Sequence, residues 1–499
     1  MTPDDRHPCL IGTSHRTWQS DADAPEPLEM MAVVSRAAAE DAAATVDPLA
    51  HLDDLSVVHC QSWTYDDLPG RLADRLGAVG AARHESILAG TSPQRLIDAA
   101  AERMLAGETE VALVVGGEAL HTRRRYARAG ATPPWSHAHS SPPAIPIDLR
   151  EWHLPTEMAH GLLPAWLTFA LLEQARWAAQ GGTAEGRERL FATMARLNET
   201  AVVNPDAWFR TARSAQELAT ASPDNRMVAL PYTKHMTAFP DVDMAAANLL
   251  VTKAVADRWK IPDDRRVYLR GWGFARDSVH IGARADLASS PAMRAASSEA
   301  LAMAGLDTAQ IDVFDFYSCF GSAVQFAQDA FGLAADDPRP ITLTGGLPYH
   351  GGPSSNFMGH SISHTAQYLR ANPGHVGLVT GVGMHMTKHV AAIWSTAPGE
   401  IRHSGGRHGT QQWDAPPLVP DVAIVDGTDG PATAVAATVV HRGDGSASHV
   451  VAICELPDGT RCYARSDHPD SIDVVATGAW VDEKAHVEPA GEGRNEIRW

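Results

Sequence analysis

The chain has 499 residues, of which 44% are hydrophobic, so it is long enough for several domains or for one large α/β unit with a sizeable core. Its formal net charge of −19 argues against a nucleic-acid or anionic-membrane partner, because phosphate contacts need clustered Lys and Arg. The five cysteines form no CxxC pair, and the start "MTPDDRHPCL" lacks the basic and apolar segments of a leader, so we expect a cytoplasmic protein without disulfides.

The N-terminal part alternates predicted strands with helices. "HPCLIGTSH" and "DLSVVHC" are typical of strands, and an alanine-rich helix is predicted between them over Met30–Ala44. A later helix ends in a polar turn, a buried strand and a glycine-rich exit, "ERMLAGETEVALVVGGEAL". This alternation predicts a largely parallel sheet covered by helices.

Two segments interrupt that pattern. The basic run "RRRY" at Arg123–Tyr126 predicts either a solvated loop or a contact with an anionic ligand. From Pro133 to about Pro223 the sequence becomes helical, with "EMAHGLLPAWLTFALLEQARWAAQG" as its longest stretch. We interpret this segment as an inserted cap.

A weak internal repeat relates the two halves of the chain. Val376 in "AQYLRANPGHVGLVTGVGM" matches Val111 in the earlier strand, and 376 − 111 gives an offset of 265 residues. The same offset places the loop "AGTSPQRL" opposite "SSNFMGHS", and a helix follows each loop. The repeat predicts two similar halves, with Val111–Val115 and Val376–Thr380 as equivalent central strands.

The stretch Ile311–Leu333, "IDVFDFYSCFGSAVQFAQDAFGL", changes from a strand pattern to a helical period. Tyr317 and Cys319 stand at that corner. Two interpretations stay open: a corner that carries chemistry, or two side chains packed beneath the helix, since cysteine is among the most often buried residues.

The last part of the chain, from about Trp413, has short β-like runs such as "VVAICEL", "RCYARS" and "IDVVATGAWV". Two Asp-Gly turns, "RGDGSA" and "LPDGTR", predict hairpins. We expect a small, separable, all-β domain, an antiparallel barrel or sandwich that is OB-like, that is, similar in size to an oligonucleotide-binding (OB) barrel. The linker before it contains His403 and His408 near glycines and is predicted to be a tether rather than a metal site.

These motifs, in this order, resemble the thiolase superfamily over about residues 7–398: the strand "VALVVGGEAL", the corner "YSCF", and the glycine-rich "TGGLPYHGGP" followed by "TGVGM". "NRMVALPYTKHM" and "VDMAAANLL" are similar to actinobacterial thiolase-like proteins related to sterol-carrier thiolases. The resemblance implies an α/β fold with a duplicated βαβαβαββ core of five layers, αβαβα. The expected domains are two thiolase halves at 1–130 and 226–400, an insert at 131–225 and a β domain at 413–499.

Three chemical groups that the resemblance implies are missing. The position of the nucleophilic cysteine falls in "LAGTSPQRL", where Ser92 is a weak substitute or a helix cap. The family's "GHP" histidine meets "GGP"; His350 lies just before it and is a candidate for the same catalytic role if the loop is rebuilt. The "CxG" cysteine meets Gly381. Condensation or thiolysis by the usual thiolase mechanism is therefore not expected.

The fourth motif remains. Tyr317 takes the position of the Asn or His that the family uses to hold a water at the thioester oxygen, and a tyrosine hydroxyl could bond that oxygen or act as an acid. Cys319 takes the position of a family cysteine. Asn356 and His360 lie in the opposing loop and helix start, and His385 follows the strand exit, where each is either a pocket residue or an ordinary structural one.

The resemblance implies an acyl-CoA enzyme, similar to an acetyl-CoA acetyltransferase but without the usual nucleophile. The alternatives are a non-catalytic acyl-CoA-binding protein and a retro-aldolase-type lyase for a β-hydroxyacyl-CoA. Coenzyme A or its ester is expected as substrate, with no tightly bound cofactor, and the protein as a homodimer or a monomer. No HExxH, P-loop or dinucleotide-binding motif occurs, so no metal site is expected.

Overall fold

The computed structural model describes residues 4–19, 23–142, 152–402, 417–481 and 483–499. The strands are β1 (Pro8–Thr17), β2 (Asp54–Val57), β3 (Ala82–Glu85), β4 (Val111–Ala119), β5 (Met227–Ala229), β6 (Tyr232–Thr233), β7 (Asp243–Thr252), β8 (Val267–Arg276), β9 (Val313–Asp315), β10 (Val376–Gly383), β11 (Lys388–Ser395), β12 (Gly430–His441), β13 (Ala447–Glu455), β14 (Arg461–Ser466), β15 (Ala485–Gly491) and β16 (Arg494–Arg498). The helices are α1 (Pro27–Asp41), α2 (Leu68–Leu76), α3 (Ser92–Ala106), α4 (Leu120–Arg128), α5 (Pro155–Ala159), α6 (Ala165–Ala179), α7 (Ala184–Val203), α8 (Ala215–Ala219), α9 (Lys253–Arg258), α10 (Pro291–Ala304), α11 (Gly321–Phe331), α12 (Phe357–Ala371) and α13 (Pro469–Thr477).

The larger sheet has nine strands in the order β3-β2-β4-β7-β1-β8-β11-β10-β9. Strand β4 is parallel to β2 and antiparallel to β7, and β10 is likewise parallel to β9 and antiparallel to β11. The two halves meet where β1 pairs with β8 through Cys9 and Leu10. The two strands of the predicted repeat, β4 and β10, therefore occupy equivalent places in one sheet.

Helices cover both faces of this sheet, because successive side chains of its strands point to opposite sides. On β4, Leu113 and Val115 belong to an outer core with α1, whereas Ala112 and Val114 belong to an inner core with α3. Helices α3 and α12 contact each other, and α10 packs on β8 and β11. From one side of the molecule to the other, the layers are thus α1, the strands of the first half, the pair α3 and α12, the strands of the second half, and α10.

Gly12 allows a close approach between a strand and its covering helix. A Cβ atom on Gly12 of β1 would lie 1.9 Å from the carbonyl oxygen of Ala38 in α1. No larger residue fits there without moving the helix. Gly12 therefore fixes how closely α1 packs on the first half.

The inserted segment is helical in its described part, as the sequence predicts. Helices α6 and α7 pack against α11, and α6 also packs against β12. A Cβ atom on Gly321, the first residue of α11, would lie 2.2 Å from the side chain of Leu190 in α7. The insert therefore covers the helix that follows Tyr317 and Cys319.

The C-terminal strands form a ring. Their order is β13-β14-β16-β15-β12, and an additional pairing of β12 with β13 closes it. Strands β14 and β16 are parallel, and β12 also pairs with β5 through Val440 and Ala229. The ring is thus joined to the short strands β5 and β6, which precede β7 in the chain.

The expectation of an all-β module was wrong in one place. "IDVVATGAWV" was assigned to a strand, but its first part lies in helix α13 between β14 and β15. Pro469 stands at the first helical turn, Asp470 adds a negative charge there, and Gly478 ends the helix with a φ of 86°. These end signals outweigh the β-branched residues between them.

The predicted Asp-Gly hairpins are present. The turn between β12 and β13 is closed by a hydrogen bond from Arg442 N–H to Ser446 O, and Gly445 has a φ of 86°. The turn between β13 and β14 is closed in the same way from Leu456 N–H to Thr460 O. The proposed domain start at Trp413 and the linker histidines His403 and His408 lie outside the described residues. In the ranges given above, no helix is both long enough and apolar enough to cross a membrane.

Candidate functional site

Tyr317 lies at the end of β9, where the chain turns into α11. Its backbone N–H donates to Thr380 Oγ1 on β10 at 2.9 Å, which ties the corner to the neighbouring strand. A Cβ atom on Gly90 would lie 2.3 Å from the Tyr317 hydroxyl oxygen and 2.3 Å from Val382 O. The hydroxyl therefore packs against the backbone of the loop that leads into α3.

Burial keeps both the Tyr317 hydroxyl and the Cys319 thiol protonated. It raises the pKa of Tyr317 above its usual value, and the neighbouring Cys319 raises it further. Burial likewise raises the pKa of the Cys319 thiol, although Cys319 lies close to the N-terminus of α11. Desolvation thus outweighs the helix dipole, so Tyr317 is a hydrogen-bond donor and Cys319 is a thiol rather than an activated thiolate.

Two further loops meet beside Tyr317. The Ala89 N–H donates to Ser355 Oγ at 3.0 Å, and Asn356 Nδ2 donates to Gly116 O at 2.7 Å. Asn356 is buried and its amide is committed to the end of β4, so in this structure it holds the strand exit in place. The loops before α3 and α12 are thereby fastened to each other.

The position of the family's nucleophile carries no activated group. Ser92 Oγ donates to Ile87 O at 2.8 Å and so closes the turn before α3. Thr91 is buried, and its hydroxyl has no hydrogen-bond partner among the described residues. In the described part of the chain, neither hydroxyl forms a hydrogen bond with an imidazole.

His350 and His360 are brought together, with their ring centroids 5.4 Å apart, and both are fully buried. They belong to a cluster that sequence reasoning missed, because His15, Asp206 and His364 complete it from distant parts of the chain. The His15 and His364 rings stack at 4.1 Å, and His15 Nε2 lies 3.1 Å from Asp206 Oδ2. We call these five residues the histidine cluster.

The cluster histidines on α12 and before it are uncharged at neutral pH. Burial lowers the pKa of His350, His360 and His364 well below the usual value, and neighbouring cluster histidines lower it further. The hydrogen bond from His15 lowers the pKa of the Asp206 carboxyl, which is therefore ionised. The cluster thus places one carboxylate near three neutral imidazoles.

Phe357 separates the histidine cluster from Tyr317. Its ring lies 5.5 Å from the Tyr317 ring and 6.1 Å from the His350 ring, edge to face in both cases. His385 is not part of either group: its Nδ1 lies 2.9 Å from Thr168 Oγ1, and burial lowers its pKa to about 4. The sequence-predicted residues therefore fall into separate places.

A cavity of about 370 Å³ lies next to these loops. Its lining residues are Gln61, Ser62, Trp63, Thr64, Arg123, Ala127, Ala131, Thr132, Pro133, Ala138, His139 and Pro142. Gln61 Oε1 accepts a hydrogen bond from Ser354 Oγ at 2.9 Å, which connects the cavity wall to the loop before α12. Tyr317 and Cys319 are not among the residues that line it.

Solved structures resemble this chain over most of its length. A monomeric SCP2-thiolase-like protein type 1 from Mycobacterium smegmatis is 29% identical, with a TM-score of 0.82, over 99% of this chain and 99% of its own. Human mitochondrial 3-ketoacyl-CoA thiolase is 14% identical, with a TM-score of 0.56, over 79% of this chain and 100% of its own. The Ltp2-ChsH2(DUF35) aldolase is 15% identical, with a TM-score of 0.61, over 79% and 98%.

No protein-family model and no curated protein matches the chain. The full-length similarity to the SCP2-thiolase-like protein agrees with the duplicated strand order and with the motifs at both strand exits. The chain is thus similar to the thiolase superfamily over its whole length, and the solved structures that it resembles include a protein of the sterol-carrier (SCP2) type.

Proposed function

We propose that the protein binds an acyl-CoA ester at the loops before α3, α11 and α12, with Tyr317 donating a hydrogen bond to the thioester oxygen. The observation that carries this proposal is the contact of the Tyr317 hydroxyl with Gly90, where the loops of both halves meet. Because its pKa is raised, the phenol keeps its proton and can polarise a carbonyl.

The nucleotide end of the ligand is assigned to the cavity beside Gln61. Arg123 offers a cation for phosphates, and the Trp63 indole offers a flat apolar surface for the adenine ring. The wall of this cavity is joined to Tyr317 through adjacent contacts: Gln61 with Ser354, then Ser355 with Ala89. One extended ligand would follow that path.

Any chemistry on the ester would proceed without an acyl-enzyme. The Ser92 hydroxyl is used in a turn and the Cys319 thiol has a raised pKa, so neither is an activated nucleophile. This supports the binding of an acyl-CoA, with polarisation of its carbonyl, over transfer through a covalent intermediate. The aldolase neighbour is 15% identical to this chain, so its likeness concerns the fold alone.

The C-terminal ring supports a further assignment, an OB-type barrel. Its strand order, its closure between β12 and β13, the parallel pair β14–β16 and the helix between β14 and β15 all favour this type. We also propose that the protein is located in the cytoplasm.

The test compares an acyl-CoA with its thioether analogue, which lacks the carbonyl oxygen. Wild-type protein should bind the thioester more tightly by about 1 kcal/mol, or roughly fivefold, in calorimetry. Tyr317→Phe should abolish this preference, while Tyr349→Phe should keep it, since Tyr349 lies outside the proposed thioester site and its buried hydroxyl has no hydrogen-bond partner among the described residues. Equal affinities for both ligands in wild-type protein would reject the role of Tyr317.

The cavity is tested separately. Arg123→Ala should weaken the binding of free CoA, and more so at low ionic strength, whereas Arg128→Ala on the same helix should not. Intact-protein mass spectrometry after incubation with an acyl-CoA should show no acyl adduct. An adduct on Ser92 or Cys319 would contradict the proposal.

A further inference from the structure

We propose that His15, Asp206 and His364 form a binding site for a divalent transition-metal ion, with Zn²⁺ as the best fit. One ligand atom from each residue lies within 4.8 Å of the other two. Ligands of one tetrahedral Zn²⁺ are roughly 3.3 Å apart, since each bond is about 2.0–2.1 Å long. Small side-chain rotations therefore suffice to bring the three atoms onto one ion.

Unpaired nitrogens surround this point. His15 Nδ1, His364 Nε2 and both ring nitrogens of His360 are buried without a hydrogen-bond partner among the residues the structure describes. Leaving a buried polar atom unpaired costs about 1–3 kcal/mol. An ion that accepts imidazole lone pairs accounts for several such atoms at once, which packing alone does not.

The ligands are held in place by a second set of contacts. The Asp206 N–H donates to Asn204 Oδ1 at 2.9 Å, and Asp206 O accepts from Thr17 Oγ1 at 2.6 Å. Thr17 and His15 are on β1, so the strand positions two of the three ligands. Supporting contacts of this kind are typical of metal centres.

The ligand set indicates the class of ion. Two imidazoles and a carboxylate suit Zn²⁺ and its neighbours in the first transition row, whereas Ca²⁺ and Mg²⁺ prefer oxygen ligands. The Asp206 side chain is 36% exposed, which gives an ion a path from solvent. Three protein ligands leave a fourth position open, and His360, with its ring 6.0 Å from that of His15, lies beside it.

The test uses full-length protein without a histidine tag, stripped with a chelator and titrated with Co²⁺ as a spectroscopic probe and then with Zn²⁺. We expect one ion per chain, visible d–d absorption bands with Co²⁺, loss of these bands on adding Zn²⁺, and a raised melting temperature with either ion. His364→Gln and Asp206→Asn should each weaken Zn²⁺ binding by at least about tenfold.

His280→Gln is the matched control, because His280 Nδ1 pairs with Glu157 at 3.2 Å elsewhere in the structure. It should bind Zn²⁺ as wild type does. The proposal fails if the stripped protein takes up neither ion, or if Asp206→Asn and His364→Gln bind as tightly as the control. Asp206→Asn replaces one atom of a partly exposed side chain. It therefore keeps the test decisive if the His364→Gln variant does not fold.

Discussion

Replacing Gly90 by alanine should disturb both the fold and the proposed thioester site. The added Cβ would lie 2.3 Å from the Tyr317 hydroxyl oxygen and 2.3 Å from Val382 O, whereas non-bonded atoms prefer about 3.5–4.0 Å. Val382 is paired with His389 in the sheet, so its carbonyl cannot move without disturbing β10 and β11. The side chain of Tyr317 must yield instead, and its hydroxyl leaves the position at Gly90.

The size of the effect follows from these two contacts. Overpacking a buried site costs about 1–3 kcal/mol, and the rigid carbonyl places Gly90→Ala near the upper end, at about 3 kcal/mol. Gly80→Ala is the control, because a Cβ there would meet nothing within 4 Å. That substitution should change the free energy of unfolding by no more than about 0.5 kcal/mol.

Urea unfolding followed by tryptophan fluorescence measures both variants, and calorimetry measures the preference for a thioester over its thioether. Gly90→Ala should lower the urea midpoint and remove that preference. The double variant Gly90→Ala/Tyr317→Phe should recover part of the stability, since one of the two close atoms is gone. A Gly90→Ala protein as stable as Gly80→Ala would refute the close packing of Tyr317 on this loop.

Three further predictions concern stability. Asp315→Ala should cost at least about 3 kcal/mol in urea unfolding, because the buried carboxylate accepts hydrogen bonds from the 342–344 loop and from α12; failure to lower the midpoint would contradict its bridging role. The pKa of His385 falls from 6.5 to about 4 on folding, so its contribution is complete above pH 6.5 and is lost as the pH falls towards 4; about 1 kcal/mol should be gone at pH 5.5, and His385→Gln should reduce that slope. Tyr463→Phe removes a donor to Glu157 and should lower the midpoint by about 1–3 kcal/mol, whereas an unchanged midpoint would show that this contact does not fasten the C-terminal ring.

The strand–helix alternation, the repeat and the two Asp-Gly hairpins could be predicted from the sequence, because each depends on neighbouring residues. The strand assigned to "IDVVATGAWV" was wrong for the same reason: Val474 and Val475 favour a strand, but Pro469 and Gly478 at the ends decide for a helix. The residues at the two ends of this segment therefore decide its structure more than its composition does.

The histidine cluster could not be read from the sequence, since residues 15, 206 and 364 meet only after the halves and the insert have packed together. The single local signal was the spacing of His360 and His364, which places both on one face of α12. The contact of Gly90 with Tyr317 could be predicted, because the repeat brings both strand exits to one end of the sheet. The raised pKa of Cys319 could not be predicted from the sequence, because burial is a property of the folded protein.

The pairing of β5 with β12 has a consequence for biosynthesis. Leu230 N–H donates to Val439 O at 3.0 Å, and Thr438 Oγ1 donates to Leu230 O at 2.7 Å, so the edge of β5 is covered by residues made much later. Until the ribosome has released β12, that edge stays open beside the apolar Val228 and Tyr232. A nascent chain stalled before residue 430 would therefore present an unpaired strand to other chains and to chaperones.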